Sequence, residues 1–133
     1  MTVALMTVAN PGDLVVTEEI SHHTLNPLAR HLGLRLAGLR ADTEGINPRA
    51  FQAACAQQTV KALYLMPTGL GPRLSVMSVT RRQELIRIAR KHEVFIIESD
   101  AWGPLQAERP TSFAVLAPER TLYFTSLTKC LMP

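Results

Sequence analysis

Cysteine is scarce in this chain. Only Cys55 and Cys130 occur in 133 residues, far apart and without metal-ligand spacing. That argues against a disulfide-stapled secreted scaffold or a cysteine zinc site, and it points to a reducing cytoplasm. Aromatic residues make up only 5% of the chain, so a core drawn from its 47% hydrophobic residues must be mostly aliphatic. No apolar run reaches the roughly 18 residues that read as a membrane span. Residues 1–9 are apolar but have neither a basic leader nor a cleavage site, so they do not read as a signal peptide. Charge of one sign is also lacking: 14 Lys and Arg against 11 Asp and Glu leave a net +3. The basic residues lie among acidic ones, as in Arg81, Arg82, Glu84 and Arg87, which suits solvated helix faces better than a stripe for nucleic acid.

What is present is an alternation of apolar and amphipathic runs. Residues 14–17 form a β-branched run after the turn Asn10-Pro11-Gly12-Asp13. Residues 22–32 read as a helix stopped at Gly33, and residues 34–39 as a strand. Asn47 and Pro48 supply an N-cap and a first helical residue, and Phe51, Ala54 and Cys55 then share one face. Residues 60–66 read as a buried strand, and residues 67–74, with two prolines and two glycines, as a loop. Ser78 caps a helix that turns Leu85, Ile88 and Ala89 to the core and its arginines to solvent. Residues 94–97 suit a strand buried on both faces, and residues 122–125 form the last strand. This order predicts an α/β domain with a mainly parallel sheet. Ligands of such sheets sit at the carboxyl ends of the strands. Polar or unusual residues gather just there, at 18–23, 68–73, 98–102 and 126–129.

Four groups can carry chemistry. Lys129, just past a buried strand, is placed for partial desolvation, which lowers its pKa and frees an amine for imine formation. Taken alone, a lysine near a strand end is usually a surface lysine. The hydroxyls of Ser126 and Thr128 can hold a phosphate. The segment Glu98-Ser99-Asp100-Ala101-Trp102 offers a carboxylate for a protonated pyridine nitrogen, or a loop-capping Asp. His22-His23 can stack on a flat cofactor or be an exposed pair at a helix start. Gly69 and Gly71 lack the further glycine of a dinucleotide loop and read as loop geometry.

In order, these segments resemble the class I/II aminotransferase fold, and especially the aminotransferase-like domain of MocR-type GntR regulators. The likeness runs through residues 10–18, 46–51, 62–68, 77–82, 94–100 and 123–133. It implies a three-layer α/β/α architecture with a mainly parallel sheet, part of the large domain of the pyridoxal-phosphate-dependent transferase fold type I. It also implies pyridoxal 5'-phosphate as cofactor. Lys129 is then the cofactor-linking, proton-shuttling lysine, Ser126 touches the phosphate, and His22 takes the ring-stacking position. With Trp102 on the family's Tyr, Ser99 occupies the position of the pyridine-pairing Asp, and Asp100 serves instead if the loop shifts.

Departures from the pattern weaken cofactor tuning. Gly71 stands where the family has an Asn bonded to the cofactor's phenolic oxygen. Trp102 offers only a donor N–H in place of a hydroxyl. The likeness also implies that residues 1–133 are a partial domain, lacking the winged-helix DNA-binding domain and the C-terminal small domain. The parent is expected to be a cytoplasmic homodimer that binds DNA only through the missing N-terminal domain and takes a small amine or amino acid. One expectation is a regulator that binds the cofactor without turnover. The other is a core piece of an aminotransferase acting on amino acids and 2-oxo acids.

Overall fold

A computed structural model describes residues 1–68, 76–101, 103 and 108–126. In chain order the elements are α1 (Thr2–Val8), β1 (Leu14–Glu18), α2 (Leu25–His31), β2 (Arg35–Leu39), β3 (Ala41–Asp42), β4 (Gly45–Ile46), α3 (Pro48–Gln57), β5 (Val60–Leu65), α4 (Val79–Lys91), β6 (Phe95–Ser99), α5 (Phe113–Leu116) and β7 (Thr121–Phe124). Five strands form one parallel sheet in the order β2-β1-β5-β6-β7, while β3 and β4 pair as a separate antiparallel hairpin.

Strand alternation sorts the core into two layers. Val15, Ala62, Tyr64 and Ile97 pack with Leu5 and Val8 of α1 and Leu25 and Ala29 of α2. Val16, Leu63, Leu65 and Ile96 pack with Phe51 of α3, Leu85, Ile86 and Ala89 of α4, and Phe113 of α5. The result is the expected α/β/α sandwich. Each fully buried Leu or Ile contributes roughly 1.5–3 kcal/mol over an exposed one, so the aliphatic core does most of the stabilising.

The local signals work as expected at several ends. Asn47 Oδ1 accepts from Arg49 N, and Ser78 Oγ accepts from Arg81 N. Gly33 closes α2 with φ +67°, a conformation that favours glycine. The helix expected over residues 22–32 is shorter, beginning at Leu25. Reaching back to residue 22 would bury Pro27 in the helix interior, with its ring against the carbonyl of His23. Three elements were not foreseen: α1, the β3–β4 hairpin and α5, each too short to display a period.

One expectation is overturned. The arginines of α4 do not all face solvent, because Arg82 is fully buried. It is held by an ion pair with Glu98, Nη1 to Oε1 at 3.3 Å, with both side chains fully buried. Its Nε donates to Met77 O (3.1 Å) and its Nη2 to Pro67 O (3.3 Å). The guanidinium also lies over the Phe113 ring, 5.5 Å from the centroid.

Candidate functional site

The chain builds β2 on one side of β1 and then crosses to β5 on the other, so the strand order reverses between β1 and β5. Such a reversal splays the connections apart and opens a crevice at the carboxyl ends. From β1, buried Thr17 donates to Ser21 Oγ at 2.8 Å. His22 and His23 stack with ring centroids 4.6 Å apart, and His22 Nδ1 pairs with the Thr24 hydroxyl at 2.7 Å. Burial, and then the neighbouring His23, hold the His22 imidazole below its usual pKa. A cleft of about 310 Å³ lies here, lined by Thr17, Ser21, His22, His23, Asn26 and Gly38 among others.

Asp100 organises the next strand ends. It follows β6 and is 1% exposed. Its Oδ1 accepts from the Thr68 hydroxyl and from Gly103 N, the latter at 3.0 Å. Its Oδ2 accepts from Arg109 Nη1 and from the Tyr123 hydroxyl, both at 2.9 Å. Burial, and then the bond to Asp100, push the Tyr123 phenol up, so it stays a donor. A carboxylate has about four lone-pair sites, and these four donors fill them. Freeing Asp100 would strand several donors, at about 1–3 kcal/mol for each that stays buried. Thr125 Oγ1 donates to Asp100 O at 2.8 Å and ties the end of β7 to the same point. Gly103 is required here: a Cβ would overlap the Asp100 carboxylate.

Ser99, the last residue of β6, is 8% exposed. Alternation puts it on the α1 and α2 face with Ile97 and Tyr64. Tyr64 is fully buried. Burial pushes its phenol up, and the nearby Ser99 hydroxyl partly offsets this. The Tyr64 hydroxyl nevertheless has no well-formed hydrogen bond among the described residues. On the other face, Glu98 accepts from Phe113 N (3.1 Å) and Ala114 N (3.0 Å) as well as from Arg82. Burial raises the pKa of Glu98, and these donors oppose the rise.

The sequence-predicted residues therefore divide. His22, Ser99, Asp100 and Ser126 all lie at carboxyl ends of the sheet, with Ser126 two residues past β7 and partly buried. Lys129, Trp102 and Gly71 lie outside the described residues. Sequence reasoning missed Tyr64, Gly103, Arg109 and Tyr123. A tyrosine inside an otherwise aliphatic strand was the available signal for Tyr64. Nothing local marks Arg109 or Tyr123 as partners of Asp100.

Among the described residues, no group of three or more His, Cys, Asp or Glu is arranged to hold a metal ion, and no helix is long and apolar enough to cross a membrane. A larger groove of about 700 Å³ runs between α3 and α4, where Arg81 is already paired with Asp42, Glu44 and Glu84.

No family model matches the chain. It is 27% identical over 129 residues to the uncharacterized HTH-type transcriptional regulator YdeF of Bacillus subtilis, covering 97% of the chain and 28% of that protein. It is 30% identical over 110 residues to the aromatic amino acid aminotransferase C1773.13 of Schizosaccharomyces pombe, covering 78% of the chain and 23% of the relative. The crystal structure of an archaeal alanine:glyoxylate aminotransferase superposes with a TM-score of 0.83 at 29% identity, covering 92% of this chain and 32% of that one. The chain thus spans under a third of the length of these proteins.

Proposed function

We propose, for a chain that carries part of the aminotransferase-like large-domain fold of type I, that it is the pyridoxal 5'-phosphate-binding portion of a MocR-like regulator. In this reading residues 1–133 are a partial domain of a longer, homodimeric polypeptide that contacts DNA through a separate helix-turn-helix domain. The observation that carries the reading is the set of hydroxyl groups at the carboxyl ends of β1, β5 and β7 in one parallel sheet, those of β5 and β7 gathered on Asp100 just past β6. The likeness to HTH-type regulators across nearly the whole chain supports the regulatory parent.

The described residues fit a phosphate-bearing ring in kind. Hydroxyls stand at the strand ends. The acid does not fit as readily, because Asp100 is filled by its four donors. In this proposal Lys129 holds the cofactor covalently through Nζ, Ser126 donates to its phosphate, and the His22 ring covers one face. Trp102 contributes an indole N–H, and Gly71 supplies no side-chain donor to the ring. When bound, the cofactor supplies a conjugated, electron-withdrawing ring to whatever amine it captures. The chain's residues orient that ring and exclude water from it, and a small amine or amino acid is the effector.

The test is to mix the purified chain with pyridoxal phosphate and record visible absorbance beside a Lys129→Ala control. A band that vanishes in the variant supports the reading. No band, or one that persists unchanged, refutes cofactor capture by this chain. The 30% identity to an aromatic amino acid aminotransferase favours a second reading, a catalytic parent. Amino-group transfer from an amino acid to a 2-oxo acid by the full-length parent would select it.

A further inference from the structure

The groove between α3 and α4, about 700 Å³, pairs an apolar floor with an unbalanced charged rim. Gln52 of α3 and His92 at the end of α4 tie the two helices together at 2.8 Å. Ala53 and Ala56 lie exposed on the floor, and Ile88 is partly buried beside them. The charges on the rim differ in what they have to do. Arg81 is spent on Asp42, Glu44 and Glu84, at 3.0, 3.4 and 3.8 Å. Arg49 on α3 and Arg87 on α4 are exposed and make no ion pair among the described residues. Nothing on the two helices balances them: α3 contains no acidic residue, and Glu84 of α4 already faces Arg81.

We propose that this groove docks an acidic amphipathic helix of a partner protein, with apolar residues on Ala53, Ala56 and Ile88 and carboxylates on Arg49 and Arg87. The inference stands apart from the cofactor reading. A helix lies in the furrow between two neighbours through anchors at i, i+3, i+4 and i+7. The 10 residues of α3 make a furrow wall about 15 Å long, or close to three turns. Guanidinium groups at the rim match carboxylates in geometry as well as charge. A phosphate backbone fits less well, because the floor is apolar and Glu84 on the lining repels it. A small ligand fits less well too, because its sites enclose most of its surface, and this groove is open to solvent.

The probe is a rhodamine-labelled helical peptide of about 12 residues, three turns long, with leucines at i, i+3, i+4 and i+7 and glutamates on both flanks. The purified chain is titrated into it, and fluorescence anisotropy reads binding. Saturable binding is expected. Arg49→Glu with Arg87→Glu should weaken it about tenfold or more, since two attractive pairs become two repulsive ones. Ala53→Gln keeps a good helix former on an exposed position and should weaken binding by obstructing the floor. Circular dichroism checks that each variant folds. If the double variant does not, Ala53→Gln and a peptide with lysine in place of glutamate carry the test. Absence of saturable binding, or equal binding of the lysine peptide, overturns the inference. So does a loss on charge reversal with Ala53→Gln unchanged, which would mark charge attraction without a seat in the groove. A duplex DNA that binds more tightly than the peptide and displaces it would assign the surface to nucleic acid and overturn the inference as well.

Discussion

Asp100 shows how one residue can be pulled between two roles. By sequence it is an acid beside the strand end where a cofactor nitrogen is expected. In the fold it is a tie point for four donors from four places in the chain, Thr68, Gly103, Arg109 and Tyr123. Gly103 makes this possible by leaving room for the carboxylate. Gly103→Ala should therefore displace Asp100 and cost about 2 kcal/mol, the scale of a lost hydrogen bond to a buried charged group. Urea unfolding measures it, and an unchanged midpoint would show that the carboxylate has somewhere else to go. Cys55 illustrates the opposite case. Burial pushes its thiol up to about 11, which marks it as a packing residue rather than a nucleophile.

At the scale of elements, the buried Arg82–Glu98 pair joins pieces that the sequence keeps apart. Arg82 on α4 donates to the carbonyls of Pro67 and Met77, two residues that are themselves joined by Met77 N to Pro67 O at 3.0 Å. Glu98 on β6 accepts from the first N–H groups of α5. The backbone at Pro67 and Met77, helix α4, strand β6 and the turn of α5 are thereby held by one ion pair. A buried pair is expensive to desolvate, and removing one partner leaves the other uncompensated. Arg82→Met alone should cost about 3–5 kcal/mol, and Arg82→Met with Glu98→Gln less than the sum of the two single changes. Denaturation of all four chains tests this, with simple additivity as the outcome that sinks it. The α4 pattern suggested solvent-facing arginines because periodicity assigns a face to a residue type. It carries no information about a carboxylate 16 residues away on a neighbouring strand.

For the whole molecule, acid sensitivity follows from the site. Burial and His23 keep the folded His22 pKa below the ordinary 6.5. The unfolded chain therefore binds the proton more readily, and stability declines as pH falls from about 6.5 toward the folded value, levelling off below it. Thermal unfolding between pH 7.5 and 5.5 should show the decline, and His22→Gln should flatten it. An equal slope in the variant would assign the effect to other groups.

Much of the architecture was legible before any coordinates. The β-branched and aliphatic runs near residues 14, 36, 62, 96 and 122 became five parallel strands, because buried strands need continuous apolar stretches. Asn47 with Pro48, Ser78 and Gly33 marked helix ends through interactions within a few residues of themselves. The five strands of the main sheet and the helices α3 and α4 were thus determined by the sequence alone, together with the placement of polar residues at the strand ends, since each depends on local backbone chemistry. The tertiary structure decided which of those polar groups are free and which are spent. It saturated Asp100, buried Arg82 against Glu98 and set the buried Tyr64 phenol beside Ser99. Those outcomes depend on groups tens of residues apart meeting in a space from which water is excluded, and no local pattern encodes that meeting.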